Sequence, residues 1–148
     1  MKLTELYAMP VEKIGVGSRG YVLGAVARDG KLNYLICCNE DENEYIVTTD
    51  SIISIEEKII YASEDKHKPK TKPLRLGALC CNERGKFLGR VEDIFIKNYT
   101  LKSAQIGGKK YAFERLVFGD MVIVKDKKKP DIPAGFAARD MFIDAVCS

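Results

Sequence analysis

The sequence predicts a mainly β protein: two small β-barrels in tandem, followed by a short C-terminal helix. Three observations predict it. Residues 78–126 hold a complete set of short apolar runs divided by legible turns. A second, poorer copy of that pattern precedes it, and residues 134–146 change to helical periodicity. At 148 residues, 46% hydrophobic and 30% charged, the chain fits one ordinary domain or two very small ones and is apolar enough to fold.

In chain order, Leu3, Leu6 and Tyr7 around Thr4 and Glu5 suit a short helical turn packed on a barrel end, stopped by Pro10. Residues 11–16 read as a strand and residues 17–20, Gly-Ser-Arg-Gly, as a turn. Residues 21–27 and 32–38 pair through Asp29 and Gly30, a two-residue turn of the type that needs positive φ. The acidic cluster Glu40, Asp41, Glu42 and Glu44 is a solvated connection, and residues 45–48 and 58–62 complete the first set. Residues 64–73, EDKHKPKTKP, carry four lysines and two prolines, bury no face, and are assigned as a basic linker. The second set opens with residues 87–97, an apolar run that changes phase near Glu92 and Asp93, as a bulged strand would. Residues 103–106 and 110–113 join through Gly107 and Gly108 into a tight hairpin. Phe118, Gly119 and Asp120 then turn the chain into a buried strand at 121–124. The units are therefore 1–63 and 74–126, with a tail at 127–148.

Two echoes support duplication. Arg19-Gly20-Tyr21-Val22-Leu23-Gly24 matches Arg84-Gly85-Lys86-Phe87-Leu88-Gly89 at an offset of 65. Ile52-Ile53 with Ile59-Ile60 matches Leu116-Val117 with Ile123-Val124 at an offset of 64. The run R-G-K-F-L-G-R-V-E-D-I, the Gly-Gly hairpin and L-V-F-G-D-M-V-I-V together resemble a PRC-barrel domain. Gly85, Leu88, Gly89, Val91 and Asp93 match that family's G-x-x-(I/L)-G-x-V-x-D core. Gly20, Leu23, Gly24 and Val26 match it in the first copy, where Arg28 replaces the acidic residue. The resemblance implies a six-stranded barrel that binds other macromolecules and performs no catalysis. The family includes a ribosome maturation factor, electron-transfer complex subunits and small bacterial proteins of unknown or sporulation-linked role.

Candidate chemistry is sparse. Cys37-Cys38 and Cys80-Cys81, each followed by Asn-Glu, invite a four-thiolate zinc site. Neighbouring strand residues point to opposite faces, so one cysteine of each pair is expected in a core instead. His67 lies in the linker, away from any thiol partner in sequence. Glu92 and Asp93 are adjacent and fit acid-base work badly; Asp93 is expected to accept hydrogen bonds at a strand corner. No catalytic, metal or cofactor residue is assigned. A basic surface of Lys66, Lys68, Lys70 and Lys72 with Lys125, Lys127, Lys128 and Lys129 is the candidate for phosphate or RNA contact. In the tail, Phe136, Met141 and Phe142 are candidates for a partner or self-association surface; Ala138, Met141, Phe142 and Ala145 share one helical face.

Charge is uneven: residues 1–63 carry six basic against ten acidic side chains, whereas residues 74–124 carry nine against five. Such halves can dock on each other or meet different partners. The sequence holds no apolar run of membrane-spanning length, and Glu5 and Glu12 sit where a signal peptide is apolar, so a cytoplasmic location with reduced thiols is expected. The function expected is that of a non-catalytic adaptor docking a protein partner; the alternatives are an RNA- or ribosome-associated factor and a thiol- or zinc-dependent protein.

Overall fold

The computed structural model describes residues 1–66 and 73–126, and the chain is mainly β. One helical turn, α1 (Leu3–Leu6), opens it and buries both leucines. Six strands follow: β1 (Pro10–Lys13), β2 (Gly17–Arg28), β3 (Lys31–Cys38), β4 (Glu44–Thr48), β5 (Ile52–Ile55) and β6 (Ile59–Tyr61). After the linker come β7 (Leu79–Asn82), β8 (Phe87–Lys97), β9 (Thr100–Ile106), β10 (Lys109–Ala112), β11 (Leu116–Val117) and β12 (Val122–Val124).

The hairpins form where the sequence demands left-handed backbone. Asp29 and Gly30 have φ 53 and 74, and Gly107 and Gly108 have φ 56 and 81. Both central residues of a turn whose twist matches its strands need such values. The turn between β8 and β9 uses Asn98 (φ 50) and Tyr99 (φ 63), which carry no such glycine signal. In β8 the register slips between Val91 and Asp93, as the phase change requires.

Local differences from the sequence reading have simple causes. The first strand ends at Lys13, because Gly15 (φ 76) turns the chain there. Residues 17–20 therefore begin β2 and are not a turn. Pro10 starts β1, a position where the missing N–H is tolerated, and pairs with Tyr21. The short strand β5 was not among the expected strands.

The same pairings occur twice. β1 pairs antiparallel with β2 and parallel with β6, β2 with β3, β3 with β4 and β5 with β6; β7 to β12 repeat each pairing in the same sense. The registers set the true correspondence. Val11 opposite Gly20 repeats as Cys80 opposite Gly89, and Ala27 opposite Leu32 repeats as Ile96 opposite Leu101, all at an offset of 69. The bulge between Val22 and Gly24 repeats at the same offset between Val91 and Asp93. Beyond the β3–β4 connection the offset drops to 64 at β4, since Leu35 opposite Val47 repeats as Ala104 opposite Tyr111, and to 63 at β6, since Val11 opposite Ile59 repeats as Cys80 opposite Val122. The cause of the first drop is a longer acidic connection in the first half, where the second has only Gly107 and Gly108. The letter echo at 65 is thus four residues out of structural register: Gly20 corresponds to Gly89, and Gly24 to Asp93.

The halves meet tip to tip. Lys31 of β3 pairs with Thr100 of β9; the Leu32 amide donates to the Tyr99 carbonyl (2.7 Å) and the Leu101 amide to the Gly30 carbonyl (2.9 Å). Leu32 corresponds to Leu101 and Gly30 to Tyr99, so the two bonds exchange equivalent positions about a local two-fold. The twelve strands of the described residues thereby form one sheet, from β11 through β9 and β3 to β5. The segments leading into each half cross over as well. Lys2 bridges Phe95 of β8, and the Leu74 amide donates to Ala25 of β2 (2.8 Å). One buried cluster spans both halves, from Leu3 and Val22 to Ile94 and Val124.

Candidate functional site

A cleft of about 490 Å³ opens at the seam. The β2–β3 tip supplies Ala27, Asp29 and Gly30, the leading segment Pro73, Leu74 and Arg75, and the second half Phe113, Phe118, Asp120 and Val122. Phe113 and Phe118 stack with ring centroids 5.2 Å apart and planes 27° apart. Phe118 is exposed and Phe113 half-buried, so the pair presents aromatic surface to solvent.

The repeat explains why space exists on this side. At an offset of 69, Ala27 stands where β8 has buried Ile96, and Gly30 where the second tip has Tyr99 packed on the core. The leading segments align likewise: the Ala8 amide donates to Val22 as the Gly77 amide donates to Val91, and the Val22 amide to Met9 as Val91 to Ala78. Arg75 thus replaces buried Leu6. Three positions that fill the fold at one end hold an alanine, a glycine and an exposed arginine at the other. The volume lies within the range of pockets that take small ligands or anchoring side chains.

A second cluster lies at Glu64, within the stretch assigned as linker. Its carboxylate is 9% exposed and accepts from Arg19 Nη2 (2.9 Å), Arg19 Nε (3.2 Å) and the Tyr61 hydroxyl (3.1 Å), with Lys13 Nζ at 3.7 Å. The Tyr45 hydroxyl donates to the Arg19 carbonyl (2.6 Å). Asp65 continues the order by bridging Ile46 of β4. The first two residues of that stretch therefore belong to the fold. Burial, with help from the Glu64 charge, pushes the Cys37 thiol up to about 12. Burial also raises Tyr61, whose bond from Arg19 pulls the other way. Burial keeps the Cys37 thiol and the Tyr61 hydroxyl neutral, and the bonds to Glu64 tie β2, β6 and the chain beyond them together.

The cysteines among the described residues are free thiols: Cys37, Cys38 and Cys80 are buried and Cys81 is half-buried. Burial raises the Cys80 thiol as well. Among the described residues no three His, Cys, Asp or Glu side chains group as metal ligands would. Asp93 accepts from the Thr4 amide (3.2 Å), the Thr4 hydroxyl (2.7 Å) and the Ile94 amide (2.9 Å), docking α1 on β8 as a strand-corner acceptor would. Glu92 accepts instead from Gln105 Nε2 (3.1 Å) and the Gly108 amide (2.8 Å).

Of the candidate basic surface, Lys66 follows the Asp65 bridge on the first half, and Lys125 follows β12 on the second, its amide bonded to the Arg115 carbonyl. Lys68, Lys70, Lys72, Lys127, Lys128, Lys129, His67 and the tail residues Phe136, Met141 and Phe142 lie outside the described residues. Among the described residues no helix is long and apolar enough to cross a membrane. Sequence reasoning missed the cleft, which no motif marks; Phe113 and Phe118 flanking a short strand were its one visible trace. No protein-family model matches the chain, and no curated protein matches it.

Proposed function

We propose that this chain is a non-catalytic binding module of the PRC-barrel type, two small barrels in tandem, which docks another macromolecule at the seam cleft. The observation that carries the reading is the aromatic-lined cleft. It offers stacked Phe113 and Phe118, with Leu74 and Val122 as further apolar wall, and one cation, Arg75, among its lining residues. Exposed aromatic and arginine side chains around an apolar pocket are what protein interfaces use as anchors. The occupant this chemistry fits is a protein segment presenting an aliphatic or aromatic side chain. An intracellular setting suits the four free thiols of the described residues.

The test is affinity capture from the native cell, with and without nuclease. Wild type is compared with Phe118→Ser, which removes half of the aromatic pair, and Ala27→Leu, which fills the cleft. The expected result is a partner retained after nuclease treatment and lost by both variants. A partner that depends on nucleic acid favours the RNA-associated alternative, carried by the lysines of the linker and tail. A partner held equally by both variants overturns the seam as the docking site.

A further inference from the structure

The second half carries an apolar patch on the outer face of its sheet, away from the core. Register places Val117 beside Ile123, Ile123 beside Cys81, and Cys81 beside Phe87 across β11, β12, β7 and β8. One step back, Met121 and Leu79 precede the paired residues Val122 and Cys80. Val117, Ile123, Phe87, Met121 and Leu79 are 39–59% exposed, while Cys80, Val122 and Val124 between them are buried. These strands are thus apolar on both faces, although a sheet with one wet face should alternate. The first half is more polar on this face: Glu12 stands where Cys81 does, Ser18 where Phe87 does and Ser54 pairs with Ile60, and Lys58 bonds Glu12 at 3.1 Å.

We propose that this patch is covered by the chain's own C-terminal segment, residues 134–146, through Ala138, Met141, Phe142 and Ala145. Continuity is the first reason. The described chain ends at Asp126, three residues beyond Ile123 of the patch, and runs on to residue 148. Reach is the second. Seven residues, 127–133, can reach about 23 Å when extended, and the helix that the spacing of 134–146 predicts would be about 20 Å long, against about 14 Å across four strands. Charge is the third: among the exposed side chains next to the patch, Arg84, Lys86 and Arg90 outnumber Glu83 and Asp120, and the segment carries Asp140 and Asp144 against one arginine. Area argues against a second copy, because these side chains expose roughly 400 Å², about half of what each partner of a stable dimer buries. A tethered segment needs little intrinsic affinity. With an effective concentration of about 1 mM, a contact of Kd about 100 µM is closed roughly ten times out of eleven.

Cys81, at the centre of the patch, is a native reporter. In the full chain, alkylation of Cys81 under native conditions is followed by peptide mass spectrometry, with buried Cys80 in the same peptide as the control for an intact fold. Wild type is expected to react about tenfold more slowly at Cys81 than Met141→Asp/Phe142→Asp, with Cys80 protected in both. A second variant, Ile123→Lys, should release Cys81 to the same extent without altering the tail. Equal Cys81 rates in wild type and the tail variant overturn the proposal. Protection that disappears on dilution also overturns it, since it assigns the cover to a second copy. Protection unchanged by dilution and lost in both variants establishes it.

Discussion

Gly20 and Gly89 should be among the least replaceable residues in the chain, and Gly85 far easier to replace. A Cβ on Gly20 would lie 1.9 Å from the Cys38 carbonyl oxygen and 2.8 Å from its carbon, with φ at 113. The obstacle is backbone of the paired strand β3, so relief means separating β2 from β3 around the bulge. That forfeits about two ladder hydrogen bonds at about 1 kcal/mol each and adds about 2 kcal/mol of backbone strain. Gly20→Ala should therefore cost about 4 kcal/mol. Gly89→Ala meets Gly107 Cα at 2.9 Å and N at 3.0 Å with φ at 130, and should cost about 3 kcal/mol. Gly85 has φ 82 and nothing within 4 Å of its Cβ position. Gly85→Ala carries about 1 to 2 kcal/mol of left-handed strain, offset in part by a stiffer unfolded chain. Urea unfolding followed by circular dichroism resolves these, since at an m-value near 2 kcal/mol/M the Gly20 variant loses about 2 M in midpoint. The repeat as letters pairs Gly20 with Gly85; the repeat as structure pairs Gly20 with Gly89. Similar losses for Gly20→Ala and Gly85→Ala, with Gly89→Ala mild, would refute the structural register.

Other expectations follow from individual contacts. Thr4→Val removes the hydroxyl bond that Asp93 accepts and leaves the one from the Thr4 amide, so it should cost about 1 kcal/mol in urea unfolding, with faster amide exchange across α1. Glu64→Gln weakens the bonds from Arg19 and Tyr61; because Arg19 is 37% exposed, the loss should be only about 1 kcal/mol in the same titration. Stability should fall in alkali. Burial holds the Cys37 thiol near 12 against an ordinary 9.0, and the Tyr7 hydroxyl near 12 against 10.0. Both raised values favour the neutral form in the fold, so their contribution is complete below pH 9 and lost as pH climbs toward 12. Each group steepens the decline by about 1.4 kcal/mol per pH unit in that window, and Tyr7→Phe should flatten it above pH 10.

What the sequence made legible is what single residues impose on the backbone. Asp29-Gly30 and Gly107-Gly108 fix hairpins because few other residue pairs accept positive φ twice. The phase change at Glu92 and Asp93 marks a bulge because a one-residue slip exchanges the two faces of a strand. Asn98-Tyr99 stayed hidden: tyrosine is held left-handed by its packing and by the bond from Leu32, neither of which a local window contains. The repeat was seen but misaligned, because similar letters do different work. Gly85 turns a hairpin, whereas Gly20 lets two strands close on each other. Glu64 looked like solvent-facing linker since its partner Arg19 is 45 residues away in sequence. The cleft was invisible for a related reason, being volume that Ala27, Gly30 and Arg75 leave empty relative to Ile96, Tyr99 and Leu6.

The seam itself is the feature on which both the cleft and the crossed leading segments depend, and a nuclear Overhauser measurement between the two tips examines it directly. Lys31 and Thr100 are flanked by the Leu32–Tyr99 and Leu101–Gly30 bonds, so they form a narrow pair whose Cα protons should be in close contact. A strong Lys31–Thr100 Hα–Hα signal, with slowly exchanging Leu32 and Leu101 amides, is the predicted result. Two tips that show no such signal and exchange as freely as solvent-exposed turns would mean that the halves do not join there.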